Sequence, residues 1–242
     1  MNAVPKFGDL DRLEAMAQTL LPDGTAVKML DLRGTVPKPL PGEAVAVQHA
    51  VVKRQQEFAG GRAAARMAMM ALGLTPGEIL PQADRSPKWP DGIVGSISHC
   101  NTACVSVVAR ATDMTAIGID IEEATPLDEA LLALICTPKE INWLNTQDAH
   151  KRLLLAKLIF SAKEAAYKCQ YPLSHELFGF EGFDLDIDTE AQGFCATFQR
   201  DAFPFVFADT LSGRYVIENG YVLSAVWIKA CNASLEKTAQ DP

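Results

Sequence analysis

The residues of this chain best suited to chemistry are two acids two positions apart, Asp120 and Glu122, in the stretch Ala116-Ile117-Gly118-Ile119-Asp120-Ile121-Glu122-Glu123. Three isoleucines alternate there with Gly118, Asp120 and Glu122. Successive side chains of a strand point to opposite faces, so the spacing predicts one apolar face and one carrying both acids side by side. Neighbouring carboxylates repel unless a cation or a base lies between them. Oxygen-only ligands favour a hard ion, magnesium or manganese, which keeps several waters and shares its sphere with substrate phosphates. A solvated edge strand with two ordinary surface acids is the plainer alternative, and the pair alone does not decide between them.

Bases supply a second set. A helical pattern runs from about Val47 to Leu72, closed by Gly73 with Pro76 beyond. Lys53, Arg54, Arg62 and Arg66 lie on it, Arg62 and Arg66 one turn apart. In an acidic protein such a run suits a phosphate, though a solvated cationic face is the commoner fate. The loop Asp84 to Gly92 adds Arg85, Lys88 and Trp89, the Trp being either a plug on the core or a pocket wall. Gly95-Ser96-Ile97-Ser98-His99-Cys100 follows as a short strand. His99 stands just before a turn, where an N–H or an imidazolium meets a phosphate, although a lone His is more often structural. Further on, a helix from Lys151 to Gln170 has Leu154, Leu158, Ala162, Ala165 and Cys169 on an apolar side and Lys157, Ser161, Glu164 and Lys168 along a polar line. Without the acids elsewhere, Glu164 and Lys168 would read as an i,i+4 ion pair.

The elements that must position these groups follow from composition and pattern. At 242 residues, 48% hydrophobic and 21% charged, the chain suits one large globular domain or two small ones. A net charge of -8 argues against a nucleic-acid binder and leaves any anionic ligand to local basic clusters. Six scattered cysteines without a CxxC pair read as buried reduced thiols, which points to the cytoplasm. The start, Met1 to Pro5, lacks a basic-then-apolar leader, and no apolar run reaches membrane-spanning length. Leu10, Leu13, Met16 and Leu20 predict a short helix ending at the turn Leu21 to Gly24. Strands are expected at Ala26 to Leu32, Ala103 to Ala109, Gly182 to Ile187 and Gly193 to Gln199. Ala103 to Ala109 and Ala116 to Glu122 are expected to form a hairpin across Arg110 to Thr115, and Arg214 to Ser224 another around Asn219-Gly220. Leu127 to Ile135 reads as a short helix, Thr137-Pro138-Lys139-Glu140 as the start of another, and the tail after Lys229 as polar.

Three stretches in this order together resemble the 4′-phosphopantetheinyl transferases, in the larger monomeric type that includes enterobactin synthetase component D and the surfactin-activating enzymes. They are Pro87-Lys88-Trp89-Pro90 running into Gly95 to Cys100, Ile117 to Glu122, and Phe160-Ser161-Ala162-Lys163-Glu164-Ala165-Ala166-Tyr167-Lys168. The resemblance covers roughly residues 50 to 170, and Phe160 stands where many relatives have Trp. It implies an α+β fold of two similar pseudo-symmetric halves, each a small antiparallel sheet packed with a long helix, in a monomer with coenzyme A between the halves. Residues 1–112 would form the nucleotide side and 113–242 the side with the metal-binding and catalytic acids. The implied activity is transfer of the phosphopantetheine arm of coenzyme A to a serine of an apo acyl, peptidyl or aryl carrier protein, releasing 3′,5′-ADP. By position Asp120, Glu122 and Glu164 match metal-binding acids, and Asp120, Glu164 and Lys168 match the catalytic set. His99 and Arg62 match groups near the nucleotide and its 3′-phosphate, and Lys168 the pyrophosphate-side lysine. Ser98, Arg54, Arg85 and Lys88 complete the implied coenzyme A contacts.

Elementary chemistry is consistent with this. Attack at the β-phosphorus builds charge on phosphoryl oxygens, which a divalent ion and a lysine stabilise. The serine must lose a proton, and Glu164, directly or through a water, is the candidate base. Carrier docking is expected on the stretch Ala124 to Ile159, with Leu127, Leu131 and Leu132 as apolar candidates if they do not pack inward. Two other readings use the same residues: a metal-dependent coenzyme A pyrophosphate hydrolase, and a non-catalytic coenzyme A or carrier-binding module.

Overall fold

In the computed structural model the described residues are 10–230. The expectations for Met1 to Pro5, and for the tail beyond Ala230, lie outside them. Helix α1 (Leu10–Leu20) packs on β1 (Thr25–Asp31), and α2 (Pro41–Val47) leads to the long α3 (Val52–Ala71). Strands β2 (Ile93–His99) and β3 (Ala103–Arg110) complete an antiparallel sheet of order β1-β3-β2, which α3 covers. After β4 (Met114–Glu123) come α4 (Leu132–Ile135), α5 (Pro138–Asn145) and α6 (Ala149–Ser174). Strands β5 (Phe183–Asp188), β6 (Gly193–Phe198), β7 (Thr210–Glu218) and β8 (Tyr221–Lys229) then close a five-stranded antiparallel sheet of order β4-β8-β7-β6-β5, with α6 laid across β4 and β8. The architecture is α+β, a long helix on an antiparallel sheet, twice.

The two sheets meet at β2 and β4, which are not paired by backbone ladders. Side-chain hydroxyls join them instead: the Ile119 N–H donates to Ser96 Oγ at 3.1 Å, and Ser98 Oγ donates to Asp120 Oδ1 at 2.7 Å. Beneath this seam Ile117, Ile119 and Ile121 share one core with Leu13, Val27, Val105, Val107 and Leu223. The opposite face of β4 is also covered. A Cβ on Gly118 would lie 2.0 Å from the Ala165 carbonyl oxygen, so glycine is what lets α6 settle directly onto the strand.

Local signals explain most boundaries. Thr137 caps α5 with a capping box to Glu140, Pro138 being in the first turn. Asn219 and Gly220 both have positive φ, 52° and 85°, as a type I′ hairpin turn requires. Two expectations need correction. The helix expected from Val47 to Leu72 begins only at Val52, because Val51 is extended (ψ 151°) and the exposed Val51 and Val52 belong to no apolar face, while the separate helix Pro41–Val47 is not expected from the sequence. The expected hairpin between 103–109 and 116–122 does not form. Both edges of β3 are already taken by β1 and β2, so residues 111–113 carry the chain into the second sheet. The five described cysteines are free thiols, and among the described residues no helix is long and apolar enough to cross a membrane.

Candidate functional site

Strand β2, strand β4 and the two long helices enclose a cavity of about 290 Å³. Helix α3 contributes Arg54 and Arg62, β2 Ser98 and His99, β4 Asp120 and Glu122, α6 Glu164 and Lys168, and the loop before β2 Arg85. Nine of the expected site residues therefore share one wall-to-wall space. Lys88 stands apart: it lines an adjoining groove of about 600 Å³ with Trp89, Tyr167 and Tyr171, which makes Trp89 a groove wall as well as a partner of the core.

Acids and bases interlock across the cavity. Lys168 Nζ lies 2.6 Å from Asp120 Oδ1, donates to Ser98 Oγ at 2.9 Å, and is 3.9 Å from Glu164 Oε2. Seven residues before Glu164 on the same helix face, Lys157 reaches Glu122 Oε2 at 3.3 Å. Each strand acid is thus held by a lysine of α6, with Glu164 between the two. Burial, and next the nearby Asp120, push the Glu122 carboxyl up to about 7; burial likewise raises Glu164. Asp120 is 3% exposed, and its Oδ2 is buried without a hydrogen-bond partner.

On the opposite wall Arg54 Nη1 is 2.9 Å from His99 Nε2, and Glu57 is within 3.6 Å of the same nitrogen. Burial holds the His99 imidazole below its usual range, and the Glu57 carboxylate opposes this. Arg62 is 7% exposed, lies 4.0 Å over the Phe58 ring and donates from Nε to the Ile79 carbonyl at 3.2 Å. Burial pushes its guanidinium down to about 10 against the opposing pull of the Glu43 carboxylate, and no described carboxylate lies close enough to form an ion pair with it. The other bases of the run serve the scaffold. Arg66 pairs with the fully buried Glu43 at 2.6 Å, and Lys53 bonds Asn101 at 2.6 Å.

Sequence reading passed over Glu57, Phe58 and Ile97, which also line the cavity, and noted Phe160 only as standing where many relatives have Trp. Glu57 was detectable from its i,i+3 spacing to Arg54; for Phe58 and Ile97 the sequence carries no local signal. Among the described residues no three His, Cys, Asp or Glu side chains form a ready-made metal cage. The donors nevertheless suit a hard divalent ion. Three carboxylates face one polar cavity, two of them kept from ionising easily by burial, and one buried carboxylate oxygen lacks a partner. Such a space, with cations on one wall and acids on the other, can take a phosphorylated ligand together with a cation.

Two models of one known family match most of the chain. The model of the 4′-phosphopantetheinyl transferase N-terminal domain matches residues 42–109, and that of the 4′-phosphopantetheinyl transferase superfamily matches residues 116–226. The 4′-phosphopantetheinyl transferase Svp of Streptomyces mobaraensis is 38% identical over 204 residues, covering 83% of this chain and 82% of that protein. The 4′-phosphopantetheinyl transferase Npt of Nocardia iowensis is 33% identical over 222 residues, covering 87% of this chain and 99% of its own. A solved holo-[acyl-carrier-protein] synthase of Thermotoga maritima overlaps 48% of this chain and 63% of its own at 16% identity and a TM-score of 0.38.

Proposed function

Because the chain belongs to the 4′-phosphopantetheinyl transferase family, we propose that it moves the 4′-phosphopantetheine group from coenzyme A to a serine of an apo carrier protein and releases 3′,5′-ADP. The observation that carries this reading is Arg62, a buried cation that forms no ion pair with any described carboxylate, across one cavity from Asp120, Glu122 and Glu164. Burying an unpaired charge is costly, and a phosphate entering the cavity would repay it.

In this reading Arg62, Arg54 and His99 take the nucleotide phosphates, with Arg85 and Ser98 beside them. Lys168 faces the pyrophosphate, leaving Asp120 when the substrate arrives. Residues 1–112 serve the nucleotide and residues 113–242 supply the acids. Asp120, Glu122 and Glu164 would hold a magnesium ion, which supplies charge stabilisation at the phosphoryl oxygens when bound. Glu164 accepts the serine proton, directly or through a water; burial already raises its affinity for a proton, as a base requires. The carrier docks on 124–159, where Leu131 and Leu134 are exposed by 40% and 66% while Leu127 and Leu132 pack inward. One chain holds the whole cavity, which supports a monomer, and the free thiols support a cytoplasmic setting.

The test is intact-protein mass spectrometry of an apo carrier incubated with the protein, coenzyme A and magnesium. A gain of about 340 Da, the mass of the transferred arm, is expected, and it disappears in Asp120→Ala and Glu164→Ala. No gain on fatty-acid, polyketide or peptide carriers, with coenzyme A bound or hydrolysed instead, refutes the proposal in favour of a binding module or a hydrolase.

A further inference from the structure

Next to Glu164 in the chain is a lysine that reaches neither the main cavity nor solvent. Lys163 is 1% exposed, and its ammonium has three partners at 2.9 Å: Glu140 Oε2, the Ile135 carbonyl and the Phe180 carbonyl. Glu140, also 1% exposed, accepts in turn from the N–H groups of Leu185 at 2.8 Å and Thr137 at 2.7 Å. One buried ion pair thereby ties α6 to the end of α4, the start of α5, the turn before β5, and β5 itself. Replacing such a pair by neutral groups of similar volume is often neutral or stabilising. Stability alone is therefore a weak reason for its presence.

What the pair fixes is adjacent to the site. The Phe180 ring packs 5.5 Å from Phe160, which lines the main cavity, and Phe180 itself walls a side cavity of about 180 Å³ that Glu164 shares with Tyr167 and Phe178. We propose that Lys163 is a positioning residue for the transfer reaction: its ammonium, anchored by Glu140, pins the Phe180 backbone so that an aromatic wall stands at a fixed distance from Glu164. This rests on the transferase reading above. A misplacement of about 1 Å at such a wall can cost about a hundredfold in rate.

The double variant Lys163→Met/Glu140→Gln removes both charges and keeps similar volumes. Steady-state transfer, coenzyme A binding, thermal melting and amide exchange over residues 176–185 are compared with the wild type. Expected are melting within about 5 °C, coenzyme A affinity within about twofold, kcat lower by about tenfold or more with a smaller change in KM, and faster exchange in 176–185. Retention of kcat within about twofold overturns the inference, as does a kcat loss matched by an equal loss of coenzyme A affinity. Phe180→Ala, which leaves the ion pair intact, decides the matter if the double variant does not fold: lowered kcat with normal coenzyme A binding supports the wall, and wild-type kcat overturns it. Absence of transfer by the wild type sinks the transferase reading instead, and the exchange rates over 176–185 then decide whether Lys163 pins this segment.

Discussion

Arg62→Gln should make the empty protein more stable and its ligand affinity weaker. The amide nitrogen of Gln falls where Nε of Arg stands, so the bond to the Ile79 carbonyl survives while the charge goes. Burial pushes the guanidinium from 12.5 to about 10. At 1.36 kcal/mol per pKa unit, keeping that charge inside costs about 3 kcal/mol. Losing the stacking over Phe58 returns about 1–2 kcal/mol of this. A net gain of about 1–2 kcal/mol remains, raising Tm by about 2–8 °C for a chain of this size. Coenzyme A binding, in contrast, loses a charge-assisted contact of about 1.5–3 kcal/mol, so Kd rises by about ten- to a hundredfold. Calorimetric melting and titration on the same samples read both signs. A lower Tm with unchanged affinity would show that Arg62 is a structural cation, and the argument from its unpaired burial would fall.

Gly118→Ala places a methyl group 2.0 Å from the Ala165 oxygen and should lower stability by about 2–4 kcal/mol in chemical melts, whereas Gly34→Ala, with nothing within 4 Å, should leave the midpoint unmoved. Since the folded-state pKa of Glu122 lies near 7, above its ordinary 4.5, the folded chain holds a proton the unfolded chain has released. Stability of the metal-free protein should therefore fall between about pH 4.5 and 7, and Glu122→Gln should flatten that slope in melts run with chelator. Lys168→Met leaves the buried Asp120 without its counter-charge and should cost about 3 kcal/mol in denaturant titrations while abolishing transfer, whereas a stability matching the wild type would contradict the pairing. Chelation should stop transfer and added magnesium restore it, scored by carrier mass.

How far these arguments could be made from residue order alone differs from group to group. Asp120 and Glu122 were legible because strand periodicity is local, and Glu164 and Lys168 because helix periodicity is. That the isoleucines would face a core shared by both sheets, and that Gly118 marks the approach of α6, depends on partners such as Leu13, Val27, Leu223 and Ala165, more than 40 residues away. The sheet assignment of β4 failed for the same reason, since which edges of β3 remain open is decided by β1 and β2. Arg66 and Lys53 looked equivalent to Arg62 and Arg54; only the location of Glu43 and Asn101 separates them. The role of Ser96 and Ser98 as a bridge between sheets was hidden, because a serine on a strand has no characteristic spacing.

The core beneath that bridge sets the autonomy of the two halves. Leu13, Val27, Val105 and Val107 come from one side of residue 112 and Ile117, Ile119, Ile121 and Leu223 from the other, yet they form a single cluster. A chain cut there would expose part of each fragment's buried apolar surface to water, so each fragment is expected to fold poorly when expressed alone. Heat should melt the intact protein in one cooperative step, and separately produced fragments should gain structure only on mixing.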